Sequence, residues 1–278
     1  MKAQTRRSFI QSTAVLTAGA ALASFPANSM PIQNIGLQLY SVRKDMLADA
    51  AGTLKKLAVI GYKNLESAGS EKGSYYGLKP KEMKKIASDL GMTVLSGHVH
   101  IGTDWQKTVD EAAEAGQTYL ICSTMPSNGQ TVSNYQHCAD IFNKSAEVAN
   151  KANLVFGYHN HEYEFEQENG KVLYDILLTH TDPAKVKFEL DLGWLIVSGQ
   201  DATTYFNKYP GRFPLWHLKD MDKTAKHSTE FGKGDIDLKA LLAQANKAGM
   251  KNYFVEQEEY SMAPLAAMQY DLNYLKKL

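Results

Sequence analysis

Short apolar runs alternate with longer amphipathic stretches along the chain after residue 31. Short runs that are rich in β-branched and aromatic residues and end at turn residues predict strands. Eight such runs occur: IGLQLY (35–40), YKNLE (62–66), TVLSGH (93–98), YLICS (119–123), LVFGYH (154–159), VKFELD (186–191), FPLWHL (213–218) and YFVEQ (253–257).

The stretches between these runs carry apolar residues at spacings of three and four, which is typical of helices. The pattern is clearest over residues 46–58, 141–152 and 238–245. Glycine is a common residue just past the last turn of a helix. Four glycines stand between a predicted helix and the next predicted strand: Gly61, Gly91, Gly116 and Gly249.

Eight β units alternating with α units predict a (β/α)8 TIM barrel, built as a single domain from residues 31–278. An open doubly wound sheet is the alternative, and eight strands fit it less well. No G-x-G-x-x-G motif follows the first strand, which argues against a dinucleotide-binding fold.

The N-terminus has the pattern of an export signal. TRRSFI at residues 5–10 pairs Arg6 with Arg7, and the apolar stretch AVLTAGAALAS follows. This pattern favours a twin-arginine signal over residues 1–30 and an exported, periplasmic protein. The apolar stretch is too short for a membrane span, so none is expected after signal removal. The alternative is a basic N-terminus that precedes a disordered arm.

Composition adds two constraints. The chain has 30 basic and 30 acidic side chains and a formal net charge of zero, which argues against a nucleic-acid partner. The two cysteines, Cys122 and Cys138, do not form a metal-binding C-x-x-C motif, and Cys122 is expected to pack as a small hydrophobe.

Polar residues capable of chemistry follow nearly every predicted strand. Active sites of (β/α)8 barrels lie at this carboxyl end of the strands. Side chains two apart on a strand share a face, which predicts four pairs directed at the same side: His98/His100, His159/His161, His217/Lys219 and Glu256/Glu258. The residues are Gln38, Tyr40, Glu66, His98, His100, Ser123, Thr124, His159, His161, Asp191, His217, Lys219, Glu256 and Glu258.

Four of these residues end the last four strands, which are neighbours in a barrel: His159, Asp191, His217 and Glu256. Imidazole and carboxylate together suit a divalent metal such as Mn, Zn, Co or Mg. Each residue also has a structural interpretation. Asp191 can cap the following turn, His217 can be a packed core histidine, and Glu256 lies in a charged run that can be solvated.

The chain resembles the sugar phosphate isomerase/epimerase family, the xylose isomerase-like barrels that also include endonuclease IV-type enzymes. The resemblance covers essentially all of the chain after residue 31. The stretches that carry it are IGLQLYSVR, YHNHEYEF, LDLGW, WHLKD and VEQE. It implies a metal site of Glu, Asp, His and Glu from the last four strands. Asp191, His217 and Glu256 match, whereas His159 stands where many members have glutamate, and Glu162 is the nearest carboxylate.

A metal bound by a sugar carbonyl and its adjacent hydroxyl acidifies the neighbouring C–H, so that a positioned group can remove the proton. Glu256 is the candidate base, and His159, His161 or Glu162 is the opposing acid or base. Lys219 is assigned to the enediolate or a substrate oxygen. The remaining candidate sugar contacts are Glu66, His98, His161 and Trp194.

The expected function is therefore a metal-dependent sugar isomerase or epimerase. Export favours an unphosphorylated sugar, because sugar phosphates are mainly cytoplasmic. A lyase or hydrolase of 3-keto-glycosides is the first alternative, since it uses the same enediolate chemistry. A non-catalytic sugar-binding protein is the second. An endonuclease IV-like enzyme is disfavoured by the export signal and the zero net charge.

Overall fold

The computed structural model describes residues 34–278, so the predicted export signal lies outside the described residues. Eight parallel strands form a closed barrel in sequence order, which confirms the predicted fold. The strands are β1 Gly36–Gln38, β2 Asn64–Ser67, β3 Thr93–Val99, β4 Tyr119–Cys122, β5 Val155–His159, β6 Val186–Asp191, β7 Leu215–Leu218 and β8 Asn252–Val255.

Helices surround the barrel. They are α1 Arg43–Ala48, α2 Ala50–Ile60, α3 Pro80–Asp89, α4 Trp105–Glu114, α5 Val132–Lys151, α6 Leu173–His180, α7 Leu192–Val197, α8 Ala202–Lys208, α9 Leu238–Leu242, α10 Ala245–Ala248 and α11 Pro264–Leu275. Two 3-10 turns and two short antiparallel ladders lie in the loops: Leu39–Val42, Tyr163–Phe165, Gln167–Glu168 with Lys171–Val172, and Asp220–Asp222 with His227–Thr229.

The predicted helical stretches over residues 46–58 and 238–245 are each divided in two. The stretch over residues 46–58 breaks at Asp49, whose extended backbone ends α1 and whose side chain accepts a hydrogen bond from Gly52 N at 2.9 Å. An aspartate in this position stabilises the start of a new helix. The prediction that helices end at glycine is confirmed where the glycine backbone is left-handed, as at Gly61 (φ 118°) and Gly249 (φ 77°).

Apolar side chains pack in two places. The larger core lies between strands and helices, and a small cluster of Tyr119, Ile121, Leu215 and Phe254 fills the inside of the barrel. Gly36 makes room for this cluster, because a Cβ there would lie 2.5 Å from Phe254 Cδ1 and 2.5 Å from a backbone oxygen. Apolar packing at the amino-terminal side of the barrel leaves its carboxyl end to polar residues.

Both cysteines are buried and unpaired, as expected for Cys122. Within residues 34–278, no helix has the length and apolar character needed to cross a bilayer.

Candidate active site

The carboxyl end of the barrel encloses a set of charged and imidazole side chains. Each is at most 8% exposed. Strand alternation places them there: in β6, Phe188 and Leu190 join the outer core, whereas Glu189 and Asp191 face the interior. The set comprises Glu66, His98, His159, Glu189, Asp191, His217, Lys219 and Glu256.

The four predicted metal ligands come together. One ligand atom from each of His159, Asp191, His217 and Glu256 lies within 4.8 Å of the others. His217 Nδ1 is 2.9 Å from Glu256 Oε2 and 4.0 Å from Asp191 Oδ2, and His159 Nε2 is 3.9 Å from the same Asp191 oxygen. These four side chains are called the metal cluster below.

The opposite ring nitrogens of both histidines face other carboxylates. His159 Nδ1 lies 3.2 Å from Glu189 Oε2, and His217 Nε2 lies 3.1 Å from the same oxygen and 2.6 Å from Glu66 Oε2. Metal-binding histidines usually make such a second contact, because it fixes the tautomer and the orientation of the ring. Glu66 and Glu189 therefore support the two imidazoles of the metal cluster from behind.

One buried oxygen indicates where a cation fits. Asp191 Oδ1 accepts a hydrogen bond from Trp194 N at 2.9 Å, whereas the buried Oδ2 accepts none with good geometry, although Lys219 Nζ is 3.0 Å away. The Lys219 ammonium offsets part of the charge of this oxygen, and a carboxylate oxygen has a further lone pair that can bind a metal ion. The donor set of two imidazoles and two carboxylates is one that divalent metals accept.

A second set of potential ligands overlaps the first. His98 and Glu189 join His159 and His217 within the same 4.8 Å limit, and His98 Nε2 lies 2.7 Å from Glu189 Oε2. The first set fits a metal better, because it uses the Asp191 oxygen that has no hydrogen bond and leaves Glu189 in contact with three imidazoles.

Lys219 is the buried cation of the site. Its Nζ lies 3.0 Å from Asp191 Oδ2, 2.9 Å from Glu256 Oε2 and 2.7 Å from Glu258 Oε1. Burial alone would lower the pKa of this amine, but the three carboxylates raise it well above its ordinary value. Lys219 therefore stays charged and balances carboxylates that would otherwise repel one another.

The two histidines of the metal cluster differ in charge. Burial, followed by the neighbouring His217 and His98, holds the pKa of His159 well below its ordinary value, so this ring is neutral. Burial also acts to lower the pKa of His217, but Glu189, Glu256 and Glu66 raise it well above the ordinary value. A metal displaces such a proton, because only neutral imidazole coordinates metals.

A cavity of about 310 Å³, the mouth cavity, opens above the metal cluster. The predicted pairs His159/His161 and Glu256/Glu258 both contribute to its lining. His98 lines it as well, and its role as a sugar contact stays a prediction.

Four of the predicted catalytic and sugar-contact residues lie outside the lining of the mouth cavity. Glu162 is exposed and pairs with Lys226 at 3.3 Å, away from the metal cluster. Glu66 is buried beneath His217, and the Trp194 ring lies 4.9 Å from Lys219 Nζ. Glu66, Trp194 and Lys219 are absent from the lining of the mouth cavity, so their contacts are with the charged side chains behind it.

Sequence reasoning missed three residues of the site. Glu189 had a signal, since it lies two residues before Asp191 on the same strand face. Asn160 binds the Asp191 backbone, accepting from its N at 3.0 Å and donating to its O at 3.3 Å. Burial raises the pKa of Glu164 to about 7, and this carboxyl accepts from His161 N at 2.7 Å. No sequence pattern marks Asn160 or Glu164.

The chain belongs to the xylose isomerase-like TIM barrel family, whose sequence model matches residues 54–278. Among solved structures, a sugar phosphate isomerase/epimerase from Parabacteroides distasonis is 31% identical, with a TM-score of 0.78 over 88% of this chain and 98% of that chain.

Curated relatives are named inosose dehydratases. The Geobacillus thermodenitrificans protein is 24% identical over 262 residues, covering 79% of this chain and 85% of its own length. The Lacticaseibacillus casei protein is 27% identical over 161 residues, and the match spans 52% of this chain and 53% of that relative, about half its length.

Proposed function

We propose that the protein is a divalent-metal-dependent enzyme that moves a proton next to a carbonyl of a sugar, giving isomerisation or epimerisation. The observation that carries this proposal is the metal cluster itself. His159 and His217 each direct one nitrogen towards Asp191 and the other towards Glu189. A histidine that only packs in the core does not require a carboxylate at each of its two ring nitrogens.

The residues that would hold the ion are His159 through Nε2, Asp191 through Oδ2, His217 through Nδ1 and Glu256 through Oε2. Mn, Zn, Co and Mg all suit such a mixed nitrogen and oxygen set to different degrees. When bound, the ion would polarise the substrate carbonyl and so acidify the neighbouring C–H.

Two side chains of the mouth cavity are placed to carry the proton. Glu256 Oε2 contacts His217 and Lys219, so Oε1 is the atom that can take a proton from the substrate. His161 lines the same cavity, and burial, followed by Lys219, lowers its pKa to about 4. A neutral imidazole can accept a proton from one substrate atom and return it to another. His161 therefore replaces the exposed Glu162 as the partner of Glu256.

The lining of the mouth cavity bears on the substrate. In the part of the chain that the structure describes, none of its lining residues is Arg or Lys. A phosphate group would meet Glu256 and Glu258 there, and the Lys219 ammonium behind them is already paired with both carboxylates. This supports an unphosphorylated sugar, in agreement with the predicted export signal, which stays a prediction.

Dehydration is the second candidate, favoured by the inosose dehydratases among the relatives. Glu256 would remove the same proton, a C=C bond would form, and the hydroxyl on the next carbon would leave as water after taking a proton from an acid in the cavity. With a glycosidic oxygen as the leaving group, the same elimination cleaves a 3-keto-glycoside. The two candidates differ in the step after proton removal: isomerisation returns a proton to the enediolate, whereas elimination breaks a C–O bond.

Proton exchange with solvent tests the proposal, because both candidates begin with loss of the same proton. The metal-loaded protein is incubated in D2O with ketoses, inososes and 3-keto-glycosides, and NMR follows the proton next to the carbonyl. We expect exchange with at least one compound, loss of exchange with a chelator, and a decrease of about a hundredfold or more in Glu256→Gln. Identification of the products then distinguishes isomerisation from elimination.

Glu162→Gln is the matched control, since Glu162 is an exposed carboxylate that pairs with Lys226 away from the metal cluster. It is expected to exchange at the wild-type rate. Exchange that survives the chelator would exclude the metal-dependent mechanism. A metal-loaded protein that binds sugars but exchanges none of them would be a sugar-binding protein instead.

A further inference from the structure

A second cavity of about 270 Å³, the side cavity, adjoins the mouth cavity. The loop of residues 123–131 between β4 and α5 forms most of it, and Tyr163 closes it. Thr124 lines both cavities. The Tyr163 ring also stacks on His161 of the mouth cavity, with ring centroids 5.3 Å apart and planes 11° from parallel. The side cavity therefore begins where the mouth cavity ends.

Hydrogen bonds hold the loop in this shape. Thr124 Oγ1 is 2.6 Å from His100 Nδ1, at the border between the two cavities. Asn134 Nδ2 donates to the backbone oxygens of Ser127 at 3.1 Å and Gly129 at 2.8 Å. Tyr135 OH donates to Gln130 Oε1 at 2.8 Å. The side cavity is thus formed before any ligand arrives, which lowers the cost of ordering on binding.

The side cavity is polar but carries no charge. Its polar side chains are hydroxyls and amides: Thr124, Ser127, Asn128, Gln130 and Tyr163. Among the described residues, none that lines it is acidic or basic. Neutral donors and acceptors beside an aromatic ring suit a hydroxyl-rich, uncharged ligand. Phosphates and carboxylates would find no cation to pair with here.

Size supports a ligand that extends into both cavities. Ligand pockets usually have volumes of about 300–1,000 Å³, so the mouth cavity alone is at the lower end and suits one ring. The side cavity nearly doubles that space. We propose that the side cavity binds a second, uncharged sugar ring, so that the substrate is a glycoside whose reacting ring lies over the metal cluster. The placement of the reacting ring rests on the proposed function.

Two basic residues line a different cavity. Arg43 and Lys44 line a separate space of about 120 Å³ beside Glu258. The Arg43 guanidinium donates to the backbone oxygens of Tyr40 at 2.9 Å and Glu258 at 3.2 Å, so its role there is structural. An anionic ligand would therefore meet basic side chains at that space and none in the lining of the side cavity.

Direct binding measurements test the second-ring site. Calorimetry on the metal-loaded protein compares methyl β-D-glucoside and glucose 6-phosphate with trehalose, maltose, cellobiose and sophorose. We expect at least one disaccharide to bind about tenfold or more tightly than methyl glucoside and glucose 6-phosphate. The double variant Ser127→Ala/Asn128→Ala should lose this preference while its affinity for methyl glucoside stays unchanged. Gln106→Ala removes an exposed amide on α4 and should bind like the wild type.

Three results would overturn the second-ring site: no disaccharide binds better than methyl glucoside, glucose 6-phosphate binds best, or the double variant loses both affinities equally. The exchange experiment on one-ring ketones keeps the two proposals apart. Exchange without a disaccharide preference overturns the second ring alone. A disaccharide preference that depends on Ser127 and Asn128, without any exchange, overturns the enzymatic proposal and leaves the second-ring site standing.

Discussion

Asp191→Asn is expected to abolish metal binding and to slow proton exchange by about a thousandfold or more. The asparagine side-chain oxygen can still accept the hydrogen bond that Trp194 N donates to Asp191 Oδ1. Its amide nitrogen replaces Oδ2, which lies 3.9 Å from His159 Nε2 and 4.0 Å from His217 Nδ1. An amide nitrogen carries no charge and does not coordinate the ion. Elemental analysis and NMR exchange rates measure both effects.

Asp201→Ala is the matched control for capping. Asp201 is exposed and caps α8, accepting from Thr203 N at 3.2 Å and Thr204 N at 2.9 Å. Its loss should cost about 1 kcal/mol of stability and leave metal content and exchange unchanged. Full metal occupancy and turnover in Asp191→Asn would show that Asp191 only caps the helix that follows it and is not a metal ligand.

Lys219→Met is expected to lower the free energy of unfolding of the metal-free protein by about 3–5 kcal/mol. The ammonium of Lys219 is within 3.0 Å of carboxylate oxygens from Asp191, Glu256 and Glu258. Methionine fills similar space but leaves these buried carboxylates without their cation. Urea unfolding in the presence of a chelator measures the loss.

Metal addition should then restore part of the stability of Lys219→Met, because the ion brings positive charge to Asp191 and Glu256 and binds only the folded protein. Lys185→Met is the control, since Lys185 pairs with Glu147 at 2.8 Å on the partly exposed surface, where ion pairs contribute little. Equal stability losses in the two variants would show that the cation of Lys219 is not needed in the site.

The barrel was predictable because each βα unit carries its own local pattern of apolar residues. The ends of the strands were less predictable, because neighbouring strands decide where pairing stops. FPLWHL begins to pair only at Leu215, since Pro214 has no backbone N–H to donate. YFVEQ stops pairing at Val255, so Glu256 lies just beyond the strand at the barrel mouth.

The sequence predicted which side chains converge where a strand sets their direction. His159, Asp191, His217 and Glu256 converge because parallel strands in register bring their ends together. It did not place Glu162, because the chain leaves β5 after His159 and enters a 3-10 turn, where alternation no longer applies. The contacts of Lys219 with three carboxylates depend on packing between strands, which the local pattern does not contain.

The metal content of the purified protein shows whether the metal cluster holds a divalent ion. Elemental analysis compares the wild type with His217→Ala and with His137→Ala, an exposed histidine on α5 that serves as control. We expect about one divalent ion per chain in the wild type and the control, and its loss in His217→Ala. A wild-type protein that takes up no metal after incubation with Mn or Zn, or a His217→Ala variant that keeps its ion, would contradict the account.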